Sequence, residues 1–181
     1  MTSMTTTPDS GAEALREHLA SLARYNVWAT RRLLDAVDAV PEADYRRDLG
    51  LYFRSIHGTL NHLLVAEHRL WSARFTDGTT PPMRLDEELE SDRVRLRQRL
   101  LDGAEAWLPL IAGWPAARFG GRLDYLRLAG GTVSLPFAAT LAHVFNHATH
   151  HRGQISAALT LLGRPAPELD LVYLLQAEAA R

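Results

Sequence analysis

The chain has 181 residues, 46% of them hydrophobic, with 20 basic residues against 21 acidic ones and a formal charge of −1. That length and apolar content suit a globular protein with a real core, and the even charge gives no electrostatic case for nucleic acid or an anionic membrane surface. Every basic residue is arginine and cysteine is absent, which excludes lysine chemistry, disulfides, thiolate metal sites and a cysteine nucleophile.

The opening stretch MTSMTTTPDSGAEA has neither a basic n-region nor an apolar h-region, so no secretion signal is read in it. No run of about 18 apolar residues suggests a membrane span. A cytoplasmic protein is the expectation. Residues 1–10 are Thr/Ser-rich and expected to be disordered, ahead of a single domain over 11–181.

The first helix is expected from Ser10–Ala12 to Val40, with Leu15, Leu19, Leu22, Val27, Leu33, Leu34 and Val37 at helical spacing. Pro41 stops it, and a loop follows through PEADYRRDLGLY. A second helix is expected over Phe53–Phe75, and TDGTTPP breaks it. A third runs from Leu85 to Ile111, its run of charge forming a solvated face. Leu123 and Tyr125, then Ala129–Gly130–Gly131, then Val133 and Leu135 predict a β-hairpin over 121–135. Pro136 opens a fourth long helix, Phe137–Leu162, and Gly163 ends it. A short helix closes the chain. The fold class is all-α: a four-helix bundle with a small hairpin before the last long helix.

Four of the eight histidines fall within HVFNHATHHRGQI on that last helix. Residues four apart share a face, so His143, His147 and His151 form one column, Gln154 continues it, and His150 lies at its edge. Two imidazoles at this spacing point into the same space and can grip one ion. Three in a column are too long for one ion, so one of them stands outside the first ligand set. A further ligand must come from a facing helix. In SIHGTLNHLLVAEHRLW, the choices are His57, His62 and His68, with Glu67 as a carboxylate alternative. His62 sits among Leu60, Leu63 and Leu64 and should face inward. His68, next to Arg69, reads as solvent-exposed. His57 and His68 are expected to be structural, and His18 carries no functional weight. Tyr25 and Trp28 read as packing, as do the remaining tryptophans.

The segments LARYNVWATRRLLDAV, SIHGTLNHLLVAEHRLWSARF and HVFNHATHHRGQISAALTLLG, in this order and spacing, resemble the DinB family of the wider DinB/YfiT-like metalloproteins. The resemblance spans about Leu22 to Leu175. It implies a four-helix bundle, commonly dimeric, with a divalent metal held by His62, His147 and His151. His143 offers a competing pair with His147, and His150 borders the site. In the matching HRGQ block, Arg152 is expected to make an ion pair or a dimer contact and Gly153 to permit close helix packing.

Three neutral nitrogen ligands leave open positions on an ion, the mark of a catalytic site. Zinc or nickel suits imidazole ligands, with iron or manganese as alternatives. Asn26, Asn61, Asn146 and Gln154, or a facing carboxylate, are the expected partners of the ligand rings. His143, His150 and Glu67 are the proton-transfer candidates. Relatives in the wider group resemble thiol-dependent isomerases and transferases, so a low-molecular-weight thiol is a further cofactor candidate. The expected function is hydrolysis or thiol-linked transfer on a small molecule. Its rivals are a non-catalytic metal-binding stress-response protein with a structural ion, and a helical dimer with no metal.

Overall fold

A computed structural model describes residues 10–180. The expected disordered tail lies outside them except for Ser10, which is the first residue of helix α1 (Ser10–Asp38). The loop after Pro41 contains a helical turn, α2 (Glu42–Arg46), that buries Tyr45.

The second long helical stretch starts later than Phe53. Ser55 is extended and its side chain accepts from Gly58 N at 3.0 Å, an N-cap that fixes the start of α3 (Ile56–Leu63). Phe53 therefore stays in the preceding loop. The helix then changes register. Leu64–Trp71 is π-helical and runs on into α4 (Ser72–Thr76). A π turn closes i→i+5 bonds and shifts the facing of every residue after it, which periodicity at 3.6 cannot foresee.

The third helix also starts late. Residues 85–92 are not helical, and α5 runs Arg93–Gly113 from an Asp92 cap. Two polar side chains of α3 hold this segment as a strap. Asn61 accepts from Glu90 N and donates to Glu90 O, both at 3.0 Å, and His62 Nδ1 lies 2.8 Å from Leu85 O. Buried amide and imidazole groups need partners, and the strap supplies them.

A 3₁₀ turn (Ala116–Gly120) leads to the antiparallel pair β1 (Arg122–Leu126) and β2 (Thr132–Pro136), with Leu123 opposite Leu135 and Tyr125 opposite Val133. The hairpin is anchored where Tyr125 meets Trp71 edge to face at 5.4 Å, with the Arg74 guanidinium against both rings. Helix α6 spans Phe137–Leu161, and Gly163 at φ 66° turns the chain out of it. Helix α7 is Leu171–Ala179.

Helix α1 packs on α5 and α6, α3 on α6, and the π segment on α5. Two apolar clusters fill the space between them. One gathers Leu33, Leu34, Ile56, Leu60, Leu96, Leu100, Ile155 and Leu159. The other gathers Leu19, Trp71, Phe75, Trp107, Phe137, Leu141 and Phe145. In chain order, Asn26 on α1, Glu67 on the second stretch, and His147 and His151 on α6 fall between members of the two clusters, and His62 lies among Leu60, Leu63 and Leu64 of the first. The chemistry sits in a polar belt between two greasy ends. No helix among the described residues is long and apolar enough to cross a membrane.

Candidate metal centre

Three histidine rings meet in that belt. One nitrogen from each of His62, His147 and His151 lies within 4.8 Å of the other two. The Nε2 atoms of His62 and His147 are 3.2 Å apart, and those of His147 and His151 are 3.1 Å apart. Ligand nitrogens on a tetrahedral ion at zinc–nitrogen distances stand about 3.3 Å apart, so the spacing fits one cation.

The hydrogen bonds behind the rings fix which nitrogen carries the proton. A backbone carbonyl only accepts, so His62 Nδ1 donates to Leu85 O and its Nε2 is a bare lone pair. His151 Nδ1 likewise donates to Gln154 Oε1 at 2.8 Å. Two bare lone pairs thus converge on His147 Nε2, whose single hydrogen can satisfy one of them at most. A cation at the common point satisfies both, and this donor set is what an imidazole-ligated divalent ion requires.

Burial keeps two of the rings, His62 and His151, neutral. Loss of hydration, with a smaller contribution from the neighbouring imidazoles, pulls His62 and His151 down to about 4. Neutral rings are the ligand form.

Packing orients His62 as well. Phe53 lies flat on its ring, centroids 3.8 Å apart and 16° from parallel. The backbone geometry behind this contact needs a glycine: a Cβ on Gly58 would stand 2.2 Å from Phe53 O.

The other site candidates divide around this centre. His143 continues the column away from the triad, its ring 5.8 Å from that of His147 and edge-on to Trp71 at 5.4 Å. Burial lowers its pKa. It borders a cleft of about 430 Å³ with Trp71, Tyr125 and Leu135. His150 is exposed and pairs with Gln154. Glu67 is 2% exposed, with Oε1 4.0 Å from His147 Nδ1. Of the four amides named as possible supports, Gln154 alone among the described residues bonds a triad ring. Asn26 accepts from Arg152, Asn61 holds Glu90 and His57, and Asn146 is exposed.

Three expectations change. His68 is not solvent-exposed: the π register turns its ring onto α5, where a Cβ on Gly103 would stand 2.3 Å from it. Arg152 is buried against Asn26, Thr30 and Thr149 rather than paired with a carboxylate. Gly153 is exposed, with nothing within 4 Å of where a Cβ would be, so it serves no close packing. His57 is held by Tyr45, Asn61 and Glu88, the structural role expected of it. Leu85 O was invisible as a partner for His62, because the segment carrying it reads as helix in sequence.

Protein DinB of Bacillus subtilis (strain 168) is 24% identical over 154 residues, covering 82% of this chain and 88% of that protein. The DinB family model matches residues 15–181, and the chain therefore belongs to the DinB family.

Proposed function

We propose that this chain is a metal-dependent enzyme acting on a small molecule by hydrolysis or thiol-linked transfer, with His62, His147 and His151 as ligands of one divalent ion, zinc or nickel. The observation that carries the reading is the convergence of two bare Nε2 lone pairs on a third imidazole in a buried belt. When bound, the ion supplies Lewis acidity that lowers the pKa of a water or thiol reaching it.

The chain's own residues do the rest. Leu85 O and Gln154 fix two ligand rings from behind, and Phe53 covers one face of His62. The cleft lined by Trp71, Tyr125 and Leu135 suits an apolar portion of a substrate. His143 borders both that cleft and His147, which makes it the favoured group to move a proton. In this reading the four long helical stretches form a four-helix bundle. Exposed Leu161, Val172 and Leu175 are consistent with a homodimer.

The test is metal content of protein purified without an affinity tag or chelator, followed by turnover. The reading expects about one divalent ion per chain, lost in His62→Ala and His147→Ala. It also expects metal-dependent hydrolysis of an activated ester or conjugation of a small thiol to a chromogenic electrophile. Protein free of divalent ions that takes up neither zinc nor nickel overturns it. A bound ion whose removal unfolds the chain, with no turnover in either assay, favours a structural ion instead.

A further inference from the structure

Each triad ring presents Nε2 to the centre and Nδ1 to the protein behind it. The Nδ1 atoms of His62 and His151 have acceptors at 2.8 Å. His147 Nδ1 is buried and has no hydrogen-bond partner, and the same is true of Glu67 Oε1, 4.0 Å away. A buried ring nitrogen and a buried carboxylate oxygen, both unsatisfied and facing one another, are each costly alone. A side-chain adjustment of about 1 Å brings them to hydrogen-bond distance.

The backbone is built to bring this carboxylate inward. An unbroken α-helix turns residue 67 about 140° away from residue 62. The π turns that begin at Leu64 change that facing, and Glu67 lands on the triad side, 2% exposed, with Oε1 4.0 Å from His147 Nδ1. Its charge is not isolated, because the buried Arg152 guanidinium lies within its electrostatic reach.

We infer that Glu67 is a positioning residue whose carboxylate takes the Nδ1–H of His147, setting that ring's tautomer and aiming its Nε2 as the third ligand. This rests on the proposed metal centre and deepens it. All three ligands then have an acceptor behind them: a carbonyl, an amide oxygen and a carboxylate. The carboxylate raises the basicity of His147 most.

The test compares wild type, Glu67→Gln and Glu67→Leu by zinc titration against a competing chelator. Long-range ¹H–¹⁵N NMR of the zinc-loaded wild type reads the ring tautomers. Glu67→Leu is expected to bind zinc ~10–100-fold more weakly, and Glu67→Gln, which keeps an accepting oxygen, to fall between. The wild-type His147 Nδ1–H is expected as a downfield, slowly exchanging resonance that disappears or moves in Glu67→Leu, while those of His62 and His151 stay. A merely structural role lowers Tm and leaves the His147 resonance unmoved. Zinc affinities within about twofold across the three proteins, or a His147 ring bound through Nδ1, overturn the inference. If Glu67→Leu does not fold, Glu67→Gln and the wild-type spectrum decide. Wild type that binds no zinc overturns the metal centre itself. Wild type that loses zinc in His147→Ala but keeps it in Glu67→Leu overturns only the role of Glu67.

Discussion

The Phe53 carbonyl oxygen sits 2.2 Å from where a Cβ on Gly58 would be. No side chain at 58 tolerates that distance, so the loop touches the helix only because residue 58 is glycine. The same contact lets the Phe53 ring lie on His62. Gly58→Ala is expected to push Phe53 outward, destabilise the fold by about 1–3 kcal/mol and weaken metal binding by freeing one face of His62. Denaturant titration reads the first effect and metal titration the second. Unchanged stability and affinity would show that the contact is dispensable.

A similar contact locks the π segment to α5. His68 fills the space that the missing side chain of Gly103 leaves. Gly103→Ala is expected to cost about 1–3 kcal/mol by overpacking, despite the better helix propensity of alanine. In the background of His68→Ala the same substitution should cost little or become stabilising. The coupling energy from this double-mutant cycle is the measurement, and additive effects would contradict the contact.

These two glycines mark where sequence reasoning stopped. The histidine cluster was legible in part: an i, i+4 pair has a fixed geometry on any α-helix and His62 lies in an apolar stripe, but spacing alone left His143 and His151 as rival partners of His147, and only the family resemblance chose between them. The four long helices and the hairpin were legible from breakers and spacing. The π register was not, since Leu64–Trp71 has the composition of an ordinary α-helix. It follows that the burial of His68 could not be read, and that Glu67 could be named only as one candidate among several. The strap was missed for a related reason. Leu85 and Leu89 fit a helical period, but the satisfaction of Asn61 and His62 outweighs local propensity there.

Acidity should act on the metal-free protein through two rings. Unfolded histidines take up a proton near 6.5, whereas His62 and His151 in the fold do so at about 4. Between these values the unfolded chain binds more protons, so stability rises with pH across the window and is lost as pH falls through it. Urea midpoints of the apo-protein measured from pH 7 to 4.5 should drop. The drop should be shallower in a His62→Leu/His151→Leu variant. Both rings are neutral at pH 7, so zinc uptake there should release almost no proton from them. Titration calorimetry in buffers of different ionisation enthalpy measures that release.

The strap gives a prediction that separates its role from that of the core. Asn61 makes both of its Glu90 contacts through one amide, and the adjacent His62 holds Leu85 O. Asn61→Leu removes the amide and leaves Glu90 N and O without it, at a cost of about 1–3 kcal/mol. Because neither apolar cluster relies on the segment before Asp92 for most of its members, the helices should persist by circular dichroism. Arg84, whose side chain is largely exposed in the same segment, then becomes an easier site for trypsin as the strap loosens. His62 keeps its ring stacked on Phe53 but loses a firmly held acceptor, so metal affinity should fall together with the gain in cleavage at Arg84. Faster cleavage with undiminished affinity would mean that Leu85 O does not steady His62. Unchanged cleavage would mean that Asn61 is not what holds the strap.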